Sequence, residues 1–310
     1  MTFWSLHSRT VFISRLQAVA AAMVLQLLVA PSGRAEEISF SYIETGASSG
    51  AQEAMVVASG SWFTRRKLSH GAVLIHHPDG DLLYDTGLGR QVDAQFEVNP
   101  WWARSLFAYE KGVPVADQLA ANAYDAHNLK AIVLSHLHWD HASGVVDFPG
   151  VPIWVQQKEY DAALQGKPPA FLHSQLEGPN TDLRFLTLED TEFKGFKRSL
   201  DVYADGSVVL VEIPGHTRGQ LGLYLTLNAQ TRYFFIGDAT WTLKGVQDTS
   251  PRPGFVRWLA SLNDDDSLTE RMVAQLHALQ EQEPDLTIVP AHDELIAASL
   301  PHYPEFSSQQ

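Results

Sequence analysis

The residues of this chain that could do chemistry are concentrated in one short stretch, Ser135–His141, which directly follows the apolar run Ala131–Leu134. Six consecutive residues of it hold four potential metal ligands: His136, His138, Asp140 and His141. Two imidazoles separated by one residue can bind the same ion, and the other two side chains follow so closely that all four need not share one tetrahedral ion. The stretch therefore predicts half of a centre for two adjacent metals.

Three more ligand-type residues, His216, Asp238 and His292, each come shortly after an apolar run and beside Gly or Pro. A single His or Asp in such a place is usually an ordinary turn residue. Three of them together with the first stretch predict a metal centre built at strand ends. Zinc is favoured because the ligands are rich in His.

The elements that would position these residues are short strands, since apolar runs with a period of two or none recur between turn signals. The predicted strands are Ile38–Ile43, Ala72–His77, Asp81–Asp85, Ala131–Leu134, Val151–Val155, Val202–Tyr203, Val208–Val211, Leu221–Leu227, Tyr233–Ile236 and Leu286–Val289. Helices are predicted from Pro114, over Gln157–Leu164, and from Ser267, where Ser267 and Glu270 have the spacing of a capping box. The chain thus predicts one mixed fold over 36–310.

Asp85 ends the predicted hairpin and begins a turn with Gly87. A carboxylate at this place could orient a metal-bound His from outside the set of ligands. It could equally be an ordinary turn residue, and the sequence leaves both readings open.

Trp101 and Trp102 lie in an aromatic segment with little periodicity. They could form an apolar wall of a substrate pocket, a contact in a homodimer, or part of the core. We predict that they contribute to the pocket together with Trp139 and Trp241.

Residues 1–35 have the composition of a cleaved secretory signal peptide. A weakly basic start precedes the apolar run Leu16–Ala30, which is shorter than the roughly 20 residues of a membrane span. Gly33 and Ala35 then supply small residues where signal peptidase requires them. We expect an exported, periplasmic protein without a membrane segment after cleavage, an uncleaved anchor being the alternative.

The composition excludes several classes of protein. The chain has no Cys, so disulfides and thiolate metal sites are excluded, and any metal must be held by His and carboxylate. Its 36 Asp and Glu against 22 Lys and Arg give a net charge of −14. Because nucleic acid binding depends on Lys and Arg contacts to phosphate, we expect a small-molecule substrate and no nucleic acid partner.

The His-x-His-x-Asp-His stretch, followed in order by the three later ligands, resembles the metallo-β-lactamase-fold superfamily from the Asp85 hairpin to His292. The resemblance implies an α+β fold, an αββα sandwich of two mixed sheets flanked by helices. It also implies a role for each site residue: His136, His138 and His216 for the first ion, Asp140, His141 and His292 for the second, Asp238 as the bridge and a catalytic residue with Asp140, and Asp85 as a structural aspartate behind the ligands.

The activity that this resemblance implies is metal-dependent hydrolysis by a hydroxide between two divalent ions, zinc being favoured over manganese, iron or cobalt. The pattern is similar to the N-acyl homoserine lactonases, so the expected substrate is a lactone or carboxylic ester. Lactonases commonly have Tyr three residues after the bridging Asp, where this chain has Trp241. The alternatives are an organophosphate or aryl-ester hydrolase of the methyl parathion hydrolase type, a β-lactamase, or an exported metal-binding protein without catalysis.

Overall fold

The computed structural model describes residues 1, 37–178, 180–260 and 263–307. The predicted signal peptide, 1–35, lies outside the described residues apart from Met1 and stays a prediction. In the described part of the chain, no helix combines the length and the apolar character that crossing a bilayer requires.

Two sheets and one small ribbon contain all the named strands of the described residues. In chain order the strands are β1 (Ser39–Ser48), β2 (Ala51–Gln52), β3 (Arg65–Arg66), β4 (Ser69–His76), β5 (Asp81–Tyr84), β6 (Tyr109–Lys111), β7 (Leu129–Val133), β8 (Pro152–Gln156), β9 (Asp182–Leu186), β10 (Ser199–Asp201), β11 (Val208–Glu212), β12 (Leu221–Thr226), β13 (Arg232–Phe235) and β14 (Leu286–Val289). The larger sheet has the order β6-β1-β4-β5-β7-β8-β9, the smaller one β10-β11-β12-β13-β14, and β2 pairs only with β3.

Both sheets are mixed. In the larger sheet β1, β4 and β5 pair antiparallel, and β5, β7, β8 and β9 pair parallel. In the smaller sheet β10 to β13 pair antiparallel, and β14 is parallel to β13. Parallel neighbours end at the same edge of a sheet, so the loops that follow them meet there.

The alternation of side chains along the strands produces the layers. From the larger sheet, Val73 and Ile75 pack against Leu210 and Leu223 of the smaller sheet, in a core between the two sheets. Their neighbours in the chain point to the opposite face, because successive side chains on a strand alternate, and there Leu74 packs with residues of the helices. The outer face of the smaller sheet is likewise covered by a helix. This confirms the αββα sandwich.

The helices of the described residues are Glu53–Val56, Val92–Phe96, Trp101–Leu106, Val115–Ala121, Trp139–Ala142, Gln157–Gln165, Leu243–Gln247, Gly254–Ala260, Asp266–Gln282 and Glu294–Ala297. The predicted capping box at Ser267 is wrong. Asp265 caps the long helix instead, because its side chain accepts a hydrogen bond from the Leu268 amide at 2.8 Å.

Candidate metal centre

The predicted ligands stand on loops at one edge of the sandwich. In the larger sheet the segment with His136 to His141 follows β7, which is parallel to β5, and its last residues lie on the short helix Trp139–Ala142. In the smaller sheet β11, β13 and β14 run in the same direction, and the loops after them carry His216, Asp238 and His292. The two edges are joined where the Leu221 amide donates to the Ser135 carbonyl at 2.8 Å.

The first cluster of possible ligands consists of His136, His138 and His216. All three are buried, and one ring nitrogen from each lies within 4.8 Å of the others. Nε2 of His216 is 2.9 Å from Nδ1 of His138. The centroid of the His136 ring lies 4.6 Å from that of His138 and 4.9 Å from that of His216. Three imidazoles converging on one point form the arrangement that a zinc ion requires.

The second cluster consists of Asp140, His141, Asp238 and His292. Nε2 of His292 lies 3.3 Å from Asp140 Oδ2, 3.1 Å from Asp238 Oδ1 and 3.4 Å from His141 Nε2. His141 Nε2 is in turn 3.3 Å from Asp238 Oδ1. Four ligands about 2.1 Å from one tetrahedral ion would be separated from each other by roughly 3.4 Å, so these distances fit a single ion.

Asp238 faces both clusters with different oxygens. Its Oδ1 belongs to the second cluster, whereas Oδ2 lies 3.5 Å from Nε2 of His216 in the first. Trp241 donates its indole N–H to the same Oδ2 at 2.9 Å. Each carboxylate oxygen can therefore serve a different ion, the geometry that a bridging ligand needs.

Asp85 stands behind the second cluster. Its Oδ2 is 2.9 Å from Nδ1 of His141, and it also accepts the Ser135 hydroxyl at 2.8 Å, while Oδ1 accepts the Ser135 amide at 2.7 Å. A carboxylate on Nδ1 leaves Nε2 of His141 free to bind an ion. The side chain is in place for the orienting role, and the residue adopts φ 61°, a conformation that Asp tolerates better than most residues.

Glu159 is a supporting residue that the sequence reasoning missed. It is fully buried on the helix Gln157–Gln165, and its two oxygens accept the amides of Leu137 and Gly219, each at 2.9 Å. Burial raises the pKa of this carboxyl group. One side chain thus ties the loop of the first His pair to the loop after His216. The sequence offered one indication: Glu159 lies four positions before Ala163 on the same helix face, and Ala163 is buried.

Replacing Glu159 with Ala should lower the free energy of unfolding of the metal-free protein by about 2–5 kcal/mol, because two buried amides lose their acceptor and a cavity remains. Denaturant unfolding measures this change. Asp161→Ala, an exposed position on the same helix, should change it by no more than about 0.5 kcal/mol. Equal effects of the two substitutions would contradict the anchoring role.

The protonation states of the first cluster favour metal binding. Burial lowers the pKa of His136, His138 and His216, to about 4 for His138, so these imidazoles are neutral near pH 7. Burial alone would raise the pKa of Asp140 and Asp238, but the neighbouring His141 and His292 lower both. Neutral imidazoles and ionised carboxylates are the forms that bind metal ions.

In the second cluster the histidines behave differently. Burial would lower the pKa of His141, but the charges of Asp85 and Asp140 outweigh it and raise that pKa well above the ordinary value. Burial would likewise lower the pKa of His292, but the charge of Asp238 outweighs it and raises that pKa. Without metal, protons therefore compete for these two nitrogens near neutral pH.

Acidification should consequently release the ion of the second cluster first. The pKa values of His141 and His292 are raised above the ordinary histidine value of about 6.5. As pH falls through the range above that value, protons bind these two residues and displace their ion, while the first cluster stays unprotonated. Elemental analysis after dialysis at stepped pH should show the metal content falling from two ions to one before reaching zero. Loss of both ions in a single step would contradict this order.

The residues fit the metal ions that the family pattern implies. Among the described residues, Nε2 of His136 and Oδ1 of Asp238 are buried and form no hydrogen bond. A buried polar atom without a partner costs free energy, and an ion at each cluster would supply the missing partner. The ring nitrogens and carboxylate oxygens present are also the ligand types that zinc accepts.

A cavity of about 370 Å³ opens directly onto this centre. His138, Asp140, Asp238 and His292 form part of its lining, which is otherwise mostly apolar; the remaining wall includes Met55, Val56, Leu68, Leu106, Phe107, Trp139, Pro169, Trp241 and Val256. Two of the four predicted pocket residues, Trp139 and Trp241, therefore lie in the wall.

The other two predicted pocket residues are not among the residues that line the cavity. Trp101 is 77% exposed, and Trp102 packs with Val56 and Trp241 in a neighbouring apolar cluster. Both belong to the short helix Trp101–Leu106. This part of the wall is formed by the end of that helix and the residues after it, 105–108, about one helical turn after the two tryptophans.

His70 is a second residue at the centre that sequence reasoning missed. It begins β4, is 7% exposed and lines the cavity, with Nδ1 3.3 Å from Asp140 Oδ2. The pairing of the predicted hairpin could have located His70. Val73 pairs with Tyr84, so extending the strand that begins at Ala72 by two residues toward its start places His70 beside the turn after Asp85.

Comparison with known proteins agrees with this geometry. The family model described as the metallo-beta-lactamase superfamily matches residues 66–292. The N-acyl homoserine lactonase AttM of Rhizobium radiobacter is 29% identical over 240 residues, which cover 75% of this chain and 85% of the relative. The N-acyl homoserine lactonase AiiA of Bacillus thuringiensis subsp. kurstaki is 25% identical over 185 residues, covering 59% of this chain and 68% of the relative.

Solved structures show the same fold at lower identity. An N-acyl homoserine lactone hydrolase with its product N-hexanoyl-L-homoserine bound at the catalytic metal centre superposes with a TM-score of 0.67 at 21% identity, covering 87% of this chain and 98% of the other. The dizinc quorum-quenching lactonase AidC superposes with a TM-score of 0.53 at 17% identity, covering 87% and 88%. The family model spans most of the chain and includes every predicted ligand, so the chain belongs to the metallo-beta-lactamase superfamily of hydrolases.

Proposed function

We propose that this hydrolase holds two divalent metal ions, zinc in the first instance, and opens the ring of a lactone that carries an apolar chain, as in N-acyl homoserine lactones. The observation that carries the proposal is the cavity over the metal centre. Its lining includes His138 and His216 of the first cluster and Asp140, Asp238 and His292 of the second, and the rest is mostly apolar side chains. The relatives named as N-acyl homoserine lactonases support the same substrate class.

The shape of the cavity suits a molecule with one polar end. A volume of about 370 Å³ lies within the range of small-molecule sites. The lactone ring would lie at the metal centre, beside Asp140 and Asp238, and an acyl chain would lie along Met55, Leu68 and Phe107. Such a chain gains free energy by leaving water for the apolar wall, at about 25 cal/mol per Å².

Two divalent ions held by the residues of the two clusters would lower the pKa of a water bound to them and polarise the lactone carbonyl. Asp140 stands at the cavity floor as an ionised carboxylate, where it can accept the proton of the attacking water and return it to the ring oxygen. The water oxygen forms a bond to the carbonyl carbon, the ring carbon–oxygen bond breaks, and the product is an open hydroxy acid.

Trp241 occupies the position of the lactonase Tyr, but its hydrogen bond has a different partner and a different role. Its indole N–H donates a hydrogen bond to Asp238 Oδ2 at 2.9 Å, and the Arg252 guanidinium lies 5.0 Å from its ring. We infer that Trp241 positions the bridging carboxylate. The substrate then receives no phenolic hydrogen bond from this position.

Trp241→Phe should lower kcat/KM about 10-fold, because a hydrogen bond to a charged group contributes about 1.5–3 kcal/mol and part of that loss reaches the transition state. Steady-state kinetics on the metal-loaded protein measures the change. Trp258→Phe is the matched control, since Trp258 is 75% exposed. If kcat/KM of Trp241→Phe were unchanged, Trp241 would not position the bridging carboxylate.

The proposed function is tested with purified protein loaded with zinc, assayed on N-acyl homoserine lactones of increasing chain length, on a paraoxon-type triester and on a penicillin. Lactone turnover that rises with chain length and is lost on chelation is the expected result. Turnover of the triester without turnover of any lactone, in protein with two ions bound, would overturn the proposal in favour of an organophosphate hydrolase.

A further inference from the structure

His70 lies beside the second cluster although it does not belong to the set of ligands that the sequence pattern predicts. Its Nδ1 is 3.3 Å from Asp140 Oδ2, and its ring centroid is 5.0 Å from that of His292. The possible ligand atoms of these three residues lie within 4.8 Å of one another, the same limit that groups the three imidazoles of the first cluster. By this distance criterion, His70 groups with Asp140 and His292 just as the three imidazoles of the first cluster group with one another.

The hydrogen bonding of His70 is also that of a ligand. Its Nδ1 is buried and, among the described residues, forms no hydrogen bond of acceptable geometry, the short approach to Asp140 included. His136 Nε2 and Asp238 Oδ1, both predicted to bind metal, are unpartnered in the same way. A buried imidazole nitrogen in such a place needs a partner, and an ion at the second cluster would supply one.

The backbone next to His70 fixes its position relative to His292. The carbonyl of Ser69 lies 2.8 Å from Nδ1 of His292, and the Ser69 amide donates to the His292 carbonyl at 3.2 Å. A proton on Nδ1 of His292 leaves its Nε2 free for an ion. The start of β4 thus orients one ligand through Ser69 and places His70 beside it.

We propose that Nδ1 of His70 is a fifth protein ligand of the ion held by Asp140, His141, Asp238 and His292. The inference rests on the two-ion centre proposed above. Zinc accepts five ligands as well as four. A fifth protein ligand would strengthen the binding of that ion.

The rival role for His70 is donation of a hydrogen bond to Asp140, and two substitutions separate the roles. Asn places its amide where Nδ1 of His stands, so His70→Asn keeps a donor near Asp140 but removes the imidazole. His70→Phe removes both. His77→Asn is the control: His77 is a buried His directly after the other end of β4, roughly 20 Å away, stacked on Tyr203 and hydrogen-bonded to Asp205.

The experiment is a titration of each metal-free protein with Co²⁺, followed by visible absorption, whose band positions and intensity depend on the number of ligands. Wild type should bind two ions. In His70→Asn and His70→Phe alike, the affinity for one ion should fall about 10- to 100-fold and its absorption should change, with the other ion and the spectrum of His77→Asn unaffected. Thermal unfolding of the metal-free variants checks that they fold.

Wild-type affinity and spectrum in His70→Asn, with a loss only in His70→Phe, would overturn the ligand role in favour of the hydrogen bond. Unchanged binding in both variants would overturn any role at the metal. A wild-type protein that binds only one Co²⁺ would overturn the two-ion centre, and the fifth ligand with it. Lactone turnover enters none of these measurements, so a failure of the substrate proposal remains a separate result.

Discussion

Asp238→Asn should lower kcat/KM about 10³-fold and reduce the metal content from two ions toward one. The amide has one oxygen where the carboxylate has two, and it carries no charge. If that oxygen keeps the bond from the Trp241 indole, the side where Oδ1 lies 3.1 Å from His292 and 3.3 Å from His141 receives an NH₂ group. An NH₂ group cannot bind an ion, and loss of one positioned charge at a reacting centre costs about 10²–10⁴ in rate.

The control for this substitution is Asp190→Asn, which makes the same chemical change at a side chain that is 93% exposed. It should leave both metal content and kcat/KM unchanged. Metal content by elemental analysis and kinetics on a lactone are measured on the same preparations. Two tightly bound ions in Asp238→Asn together with full activity would show that Asp238 does not bridge the clusters.

The fold was predictable because its strands are short and strongly patterned. Val73 and Ile75 face one side of β4 and Leu74 the other, and the alternation is legible in the sequence. Strands with weaker patterns were not predicted: β9, Asp182–Leu186, exposes Phe185 and contains two charged residues, so it lacks the apolar pattern of a strand. It is an edge strand, held by pairing with β8 and not by burial.

The ligand positions were predictable for a different reason. His216, Asp238 and His292 each follow an apolar strand, and strands of one direction bring such ends to one edge. His70 and Glu159 were not found by this reasoning, because one begins a strand and the other lies within a helix. Their proximity to the centre depends on how the layers pack, which local spacing does not express.

The pocket was the least predictable part. Trp139 and Trp241 lie next to ligands in the sequence and therefore reach the cavity, whereas the wall from Ser48 to Val56 comes from a segment without periodicity. Loops with no repeating pattern are positioned by the elements they join. Sequence reasoning could locate the metal centre but not the surface that selects its substrate.

Asp85→Asn should weaken binding of one of the two ions about 10- to 100-fold while the other stays bound. The carboxylate receives three donors: the amide and hydroxyl of Ser135 and the Nδ1–H of His141. An Asn side chain replaces one acceptor oxygen by NH₂, so one of these donors faces another donor. If that donor is His141, its ring favours the tautomer with the proton on Nε2, the nitrogen that must bind the ion.

Titration of metal-free Asp85→Asn in the presence of a competing chelator measures the affinities. Asp81→Asn is the matched control, because Asp81 also binds a His, lying 2.7 Å from Nδ1 of His76, at the other end of the hairpin. It also accepts the Tyr124 hydroxyl at 2.7 Å, so its loss should lower stability without changing either ion's affinity. If both variants lost metal equally, the effect would come from a weakened hairpin. If only Asp85→Asn lost it, and only one ion, the role of Asp85 would be to hold His141 in the tautomer that binds metal.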